Sequence, residues 1–275
     1  MPGARRYPDL PSSFEDIPVV VEQAPESHGA AGCYNTGNGK DAAGGDQVGW
    51  ANGGFGTANS VVYRDPNGSQ EEQLLHCAHV FYSDCDDAKS GGITGRTVAA
   101  SGTEIGEVVT YDRKGDYVLV DDVEADNGNA EDTTWLGYID DNTDFPYVGG
   151  RVGQTAIDSY ASNSDDPTIY NMGVTTGLTT GEIVSSDLSS TFTCYNFRDE
   201  GVEATTNFAN GDSGGPTFLI RNGDAFVVSV SSYRYYDRKE IDGCDSDTDK
   251  ENTMGNAVGT AGYYIQNNEN IAFEV

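Results

Sequence analysis

The sequence predicts an all-β protein. Short runs of Val, Ile, Tyr and Thr recur between clusters of Gly, Asn and Asp, which is the pattern of short strands joined by turns. Glycine is abundant, with 35 residues in a chain of 275, beside 16 tyrosines and 10 phenylalanines. The strongest turn signal is Arg221-Asn222-Gly223-Asp224, because Asn-Gly is a preferred centre of a tight hairpin. A chain of this length can bury a sizeable core, as one large domain or two small ones.

The individual elements follow from the same pattern along the chain. We predict strands at Val61–Tyr63, Val98–Ala100, Glu107–Tyr111, Asp116–Val120, Tyr147–Val152, Glu182–Ser185, Thr191–Tyr195, Thr217–Ile220 and Ala225–Ser231. A further β-like run begins at Ile17. Val258 to Gln266 is the one helix prediction, and its Gly262 weakens helix propensity.

The charge of the chain is strongly one-sided, with 45 acidic and 15 basic residues and a formal net charge of −30. Nucleic acid is excluded as a partner, because the electrostatic contribution would be repulsive. The sequence has no apolar run of about 18 residues, so no membrane-spanning helix is predicted. So large an acidic excess destabilises a compact state in dilute buffer, and salt at about 1 M shortens the screening length to about 3 Å. We therefore interpret the composition as halophilic.

The five cysteines are Cys33, Cys77, Cys85, Cys194 and Cys244. An odd count leaves at least one unpaired within the chain, and the spacings match no good zinc pattern. Two pairings suggest themselves, Cys77 with Cys85 and Cys194 with Cys244, although connectivity is not readable from sequence. Disulfides suit an exported protein. An extracellular or cell-surface location is therefore expected, although no apolar signal core follows Arg5-Arg6.

The stretch Gly211-Asp212-Ser213-Gly214-Gly215-Pro216 predicts a tight exposed loop. A serine hydroxyl in such a loop stands clear of the backbone, and the surrounding amides can converge on one point. An attacking hydroxyl and an oxyanion hole need this arrangement. The stretch also fits the Gly-x-Ser-x-Gly elbow of α/β-hydrolases, whose base follows the serine. All three histidines, His28, His76 and His79, precede Ser213, so any base lies upstream.

Upstream, Ala78-His79-Val80 resembles the histidine segment of the chymotrypsin-like (trypsin-fold) serine peptidases, and Gly211 to Pro216 is identical to their serine segment. Asp116 stands before the apolar run Tyr117 to Val120, where that family has its acid. Thr175 to Gly181 resembles a segment of the streptogrisin-type branch. The resemblance covers about residues 46 to 275.

The resemblance implies two antiparallel six-stranded Greek-key β-barrels with a short C-terminal helix. Residues 46–125 form the first barrel, 126–144 the crossing and 145–275 the second barrel, while 1–45 are an N-terminal arm or a propeptide remnant. The implied nucleophile is Ser213, with His79 as general base and Asp116 orienting it. The N–H groups of Gly211 and Ser213 form the implied oxyanion hole. His76 remains an alternative to His79, and Asp121 and Asp122 remain alternatives to Asp116.

The family resemblance also implies a primary specificity pocket with Asn207 at its base, six residues before Ser213. Ser231, Ser232 and Tyr233 are the implied wall. Asn207 has no charge to compensate a buried substrate cation, so we expect uncharged apolar or aromatic residues before the cleaved bond. Asp212 is expected to be structural, because in the family this acid makes a buried ion pair.

The functional hypothesis is therefore a serine endopeptidase acting on polypeptides as a monomer, with no cofactor or metal. Asp245, Asp247 and Asp249 alternate as in a calcium loop, but Lys250 stands where that loop needs glycine. The alternative is a non-catalytic acidic β-protein, a scaffold or adhesion module on a decayed peptidase fold.

The halophile interpretation predicts that stability rises with salt. Thermal melts between about 0.1 and about 3 M KCl should give a rising melting temperature, because screening relieves the repulsion among the acidic side chains. A flat or falling profile would contradict the interpretation.

Overall fold

The fold was analysed in a computed structural model of the chain. The structure describes residues 13–14, 17–18, 45, 47–50, 54–64, 71–82, 92–100, 103–121, 147–163, 167–192, 195–240 and 253–273. Within this part of the chain most residues lie in strands, and the all-β prediction is confirmed.

The first half of the chain supplies one antiparallel sheet. A small hairpin, β1 (Ser13–Phe14) with β2 (Ile17–Pro18), precedes it. The sheet itself contains β3 (Gln47–Trp50), β4 (Phe55–Thr57), β5 (Val61–Arg64), β6 (Glu71–His76), β7 (Thr97–Ala100), β8 (Thr103–Asp112) and β9 (Tyr117–Asp121). Its central strand pairs are β6 with β9 and β9 with β8, in which Leu75 lies opposite Leu119.

The second half supplies another sheet with longer strands. It contains β10 (Val148–Arg151), β11 (Ile169–Gly173), β12 (Gly177–Gly181), β13 (Ile183–Phe192), β14 (Tyr195–Phe208), β15 (Pro216–Arg221), β16 (Asp224–Glu240) and β17 (Thr253–Ala261). The strand order is β12-β11-β15-β16-β17-β14-β13, and β10 pairs in parallel with the start of β16. This parallel pair departs from the expected purely antiparallel arrangement.

In the described segments the helices are few and short. A 3-10 turn covers His79–Phe81, α1 covers Gln154–Ser162 and α2 covers Gly262–Glu269. After α2 the chain returns to the first sheet as β18 (Ile271–Ala272), which pairs with β5 and completes eight strands. Among the described residues no helix is long and apolar enough to cross a membrane.

Buried apolar side chains join the two sheets. The largest cluster combines Leu74, Leu75 and Leu119 of the first sheet with Phe218 and Val230 of the second. A second cluster lies under α1, around Ile157, Ile169 and Leu219. Burial of this shared surface holds the two sheets in a fixed relation.

Several element predictions need correction. The helix begins at Gly262, not Val258, because residues up to Ala261 pair with β16 and β14. Thr191 and Tyr195 belong to two strands of one hairpin, not to one strand. α1, β11, β12 and most of β14 and β17 were not predicted. The Asn222-Gly223 turn is confirmed, with positive φ at both residues, as a type I′ hairpin requires.

The expected division at 126–144, and most of the N-terminal arm of residues 1–45, lie outside the described residues. The same holds for Asp122, Asp245, Asp247, Asp249 and every cysteine except Cys77.

Candidate active site

His79 and Asp116 are brought into direct contact. His79 opens the 3-10 turn after β6, and Asp116 ends the turn before β9, the strand paired with β6. Asp116 Oδ2 lies 2.7 Å from His79 Nδ1, and Oδ1 accepts the His79 backbone N–H at 2.8 Å. Because both carboxylate oxygens are bonded to one residue, the imidazole orientation is fixed and Nδ1 is the protonated nitrogen.

The conformation of Asp116 explains its fixed position. Its φ is +49°, in the left-handed region that aspartate tolerates better than most residues. The side chain is fully buried, and its carbonyl accepts the Ala78 N–H at 3.2 Å. The backbone strain is offset because the buried carboxylate finds its donors on His79.

The electrostatics of His79 favour a charged imidazole. Burial acts to lower the pKa of His79, but the Asp116 carboxylate and the Cys77 sulfur outweigh it and hold the pKa well above 6.5. The imidazole side chain is 19% exposed, so part of the ring reaches solvent. Such a group is a strong base once it has lost its proton.

His76, the alternative base, occupies a different place. Its ring is fully buried, packs edge-on against Phe81 and has Nδ1 3.1 Å from the Cys77 carbonyl. Its Cε1 lies 2.6 Å from the position that a Cβ on Gly214 would take. The ring therefore packs directly against the serine loop. No described carboxylate bonds it, and Asp121, the alternative acid, lies at the end of β9.

Cys77 contradicts the predicted pairing with Cys85. Its thiol is free and fully buried, and Sγ lies 3.9 Å from His79 Nε2. The side chain points inward between two histidines, so it is not available to the following loop. Burial acts to raise the pKa of the Cys77 thiol, but His79 and His76 lower it overall.

Ser213 lies in the loop before β15 of the second sheet, and this loop is bonded to Thr57 of the first sheet. The N–H of Thr57 on β4 donates to the Ser213 carbonyl at 2.7 Å, and the Thr57 hydroxyl donates to the Gly211 carbonyl at 2.8 Å. The Ser213 hydroxyl is 3.5 Å from the Ser232 carbonyl. The two halves of the site are therefore tied together through β4.

The backbone amides of the serine loop divide into two sets. Asp212, Gly214 and Gly215 donate to carbonyls of Ala209, Ser231 and Asp212. Within the described part of the chain, the Gly211 and Ser213 amides have no acceptor. Gly211 has a φ of +100°, and a Cβ there would overlap the Thr175 hydroxyl, so only glycine fits. This leaves two N–H groups beside the serine for an external acceptor.

Asp212 holds the loop without a cation. Its carboxylate accepts the amides of Thr175, Thr176 and Ala209 at 2.8, 3.1 and 2.8 Å, and the Thr176 hydroxyl at 2.8 Å. The family's ion pair is thus replaced by four hydrogen bonds in the described structure. Burial raises the pKa of Asp212 to about 6, although these bonds act in the opposite direction.

The predicted pocket residues lie on adjacent strands. Asn207 on β14 is almost buried, and its carbonyl accepts the Thr179 hydroxyl at 3.1 Å. The Ser231 hydroxyl bonds Asn171 and Thr217 in the interior, so this side chain does not face the cleft. Ser232 presents its carbonyl to Ser213, and Tyr233 packs against Val258 and Leu188.

Sequence reasoning missed two features of the site. Asn256 pairs with Asn207 across β14 and β17, and its amide donates to the buried Glu203 carboxylate. Thr57 was also missed, since nothing in its local sequence indicates a contact 154 residues away. Among the described residues no cluster of three metal-ligating side chains exists.

The raised pKa of Asp212 predicts a specific pH dependence of stability. The folded state binds a proton more tightly than the unfolded chain, whose ordinary value is 3.8, so this group lowers stability as pH rises from about 4 to about 6. The free energy of unfolding of wild type minus that of Asp212→Asn should fall across this window by up to about 3 kcal/mol and then level off. Denaturant unfolding at each pH measures it.

Thr176→Val and Thr176→Ser provide the matched pair. Thr176→Val removes one donor to the Asp212 carboxylate, so the pH range over which stability falls should shift to higher pH. Thr176→Ser keeps the hydroxyl and should leave that pH range unchanged. Parallel stability profiles of wild type and Asp212→Asn from pH 4 to 7 would contradict the assignment.

Comparison with known proteins places this arrangement among solved folds. No protein-family model matches the chain, and no curated protein sequence matches it. The Nocardiopsis protease NAPase aligns with a TM-score of 0.57 and 15% identity, over 86% of this chain and 100% of that one. Thermobifida fusca protease A gives 0.56 and 18%, over 84% and 97%.

A third solved structure gives the same result. Cellulomonas bogoriensis chymotrypsin aligns with a TM-score of 0.55 and 17% identity, over 84% of this chain and 97% of that one. At such identities the likeness concerns architecture, and here it agrees with the two sheets and the short C-terminal helix. The chain has the two-barrel fold of the chymotrypsin-like serine proteases.

Proposed function

We propose that the protein is a serine endopeptidase that hydrolyses peptide bonds through an acyl-enzyme on Ser213. The observation that carries the proposal is the pair of acceptor-free amides, Gly211 and Ser213, which flank a serine hydroxyl. Both residues are partly exposed, so an acceptor from outside the chain can reach their N–H groups. A developing oxyanion on the substrate carbonyl supplies the missing acceptor, and one such donor is worth about 2.7–4 kcal/mol of barrier.

In the proposed mechanism His79 takes the proton of Ser213 as the hydroxyl attacks the carbonyl carbon. Asp116 keeps Nδ1 protonated, so that the lone pair is on Nε2, and it stabilises the imidazolium that forms. The amides of Gly211 and Ser213 hold the carbonyl oxygen as it becomes negative. His79 then protonates the leaving amine, and water hydrolyses the acyl-enzyme by the same steps in reverse order.

The polypeptide substrate is proposed to bind beside β16. Among the described strands, β16 pairs beyond Ser231 only with β17, so its other edge is open next to the Ser213 hydroxyl. An extended peptide can add to such an edge through main-chain hydrogen bonds, which suits an endopeptidase. We propose that this chemistry takes place outside the cell or at its surface.

Covalent labelling tests the nucleophile. A fluorophosphonate should label the wild-type protein on Ser213, because that serine is activated by His79, and Ser213→Ala should take up no label. Hydrolysis of an unstructured polypeptide should fall about 10⁶-fold in Ser213→Ala, and by a similar factor in His79→Ala although His76 is intact.

Circular dichroism of each variant provides the control for folding. Full activity in His79→Ala would assign the base to another residue. Absence of both labelling and hydrolysis in the folded wild type would instead favour the non-catalytic β-protein.

The proposed specificity is for uncharged apolar or aromatic residues before the cleaved bond. Asn207 offers hydrogen bonds but no charge, and burying an unpaired substrate cation is costly. Glu203 is the nearest described carboxylate on this pair of strands, but it is already bonded by Asn256. A peptide-library profile should therefore show few cleavages after Lys or Arg in the wild type.

Two variants sharpen this test. Asn207→Asp should introduce cleavage after Lys and Arg, because the new carboxylate would compensate the cation. A wild-type profile dominated by Lys and Arg would refute the assignment, and its loss in Glu203→Gln would identify Glu203 as the responsible acid.

A further inference from the structure

Arg151 is a half-buried cation for which the described residues supply no counter-ion. It ends β10, and its Nε donates to Gln266 Oε1 of α2 at 2.9 Å. In the described part of the chain no carboxylate lies within ion-pair distance of its guanidinium. Burial alone lowers the pKa of Arg151, with no neighbouring acid acting against it.

This isolation is unexpected in so acidic a chain. With 45 acidic and 15 basic residues, carboxylates are three times as abundant as cations, and a pairing partner is easily supplied. A guanidinium taken partly out of water without a partner is costly. The remaining N–H groups of Arg151 are therefore available to an external anion, which would offset that cost.

Arg151 borders a cavity of about 220 Å³. Phe226 of β16, Phe273 beyond β18 and Gln266 line it, together with the backbone of Gly149 and Gly150. A Cβ on Gly149 would lie 2.7 Å from the Asp224 side chain and 3.4 Å from the Phe226 ring, so glycine keeps this wall open. Asp224 itself is exposed at the turn, and within the described residues it makes no ion pair with Arg151.

The cavity is distinct from the catalytic cleft. Phe226 and Ser232 are six residues apart on β16, which corresponds to about 20 Å along a strand. Its lining includes the cationic residue Arg151 and the two aromatic residues Phe226 and Phe273. A guanidinium can donate two parallel N–H groups to the two oxygens of a carboxylate, and aromatic side chains can pack against an apolar group of the same ligand.

We propose that this cavity binds a small monocarboxylate with an apolar or aromatic body, held by the Nη groups of Arg151. The body lies against Phe226 and Phe273. The same chemistry is offered by a free carboxylic acid and by the C-terminal residue of a peptide. The site requires no catalytic activity of the chain, so it stands or fails independently of the proposed function.

Binding is tested with N-acetylphenylalanine against N-acetylphenylalaninamide, which differs only in lacking the carboxylate. Potassium N-acetylphenylalanine replaces KCl at constant ionic strength, and both titration calorimetry and the melting temperature are recorded. The acid should bind and raise the melting temperature, because a ligand of the folded state stabilises it, and the amide should not. Arg151→Gln should weaken binding by about 10- to 100-fold.

Arg221→Gln is the matched control, since it removes the same charge from an exposed arginine that stacks on Tyr160. It should bind the acid as the wild type does. Acetyl-Ala-Ala-Phe with a free C-terminus distinguishes the two kinds of ligand. If it binds as tightly as N-acetylphenylalanine, the site accepts the C-terminus of a peptide; if it does not bind, the site accepts only a small free acid. Equal binding of acid and amide, unchanged binding in Arg151→Gln, or stabilisation by chloride alone would each overturn the proposal.

Discussion

The buried carboxylate of Asp212 is the constraint on which the serine loop depends. Four donors from Thr175, Thr176 and Ala209 converge on it, so the loop and the segment before β12 are fixed to each other. A Cβ at Gly173 would overlap this carboxylate, which shows how closely the two backbones approach. Hydrogen bonds to an ionised group are each worth about 1.5–3 kcal/mol, so a cation is not needed to hold it.

The second constraint is the joint made by Thr57 between the two sheets. Its amide donates to Ser213, its hydroxyl donates to Gly211, and the same hydroxyl accepts the Val174 N–H at 2.9 Å. Asn59 adds a bond from its side-chain amide to the Gly214 carbonyl at 3.2 Å. β4, which lies in the same sheet as the strand leading into the histidine segment, thus fixes the loop that bears the serine.

The sequence was sufficient for local features and insufficient for distant ones. The Asn222-Gly223 hairpin and the Asp116 segment before an apolar strand depend on neighbouring residues, and both were predictable. The partners of Asp212 were not, because two of them are backbone amides 36 and 37 residues away, and an amide carries no sequence signature. α1 was missed for a similar reason: only Ile157 on it is fully buried, so its periodic signal is weak. The pairing of Cys77 failed because spacing does not reveal that the side chain points inward.

The backbone amides of the serine loop either donate to a carbonyl or have no acceptor among the described residues. This division links the two constraints to the proposed chemistry. Asp212 draws three amide donors and one hydroxyl to its own side, and its own amide and that of Gly215 close the turn on carbonyls. Positive φ at Gly211 and Gly214 reverses the peptide orientation between these positions. The amides of Gly211 and Ser213 take no part in the bonds that the described residues make to Asp212. Under the proposed function, a negative charge developing on a substrate would meet the positive ends of these amides, while the Asp212 carboxylate is stabilised by its own four donors.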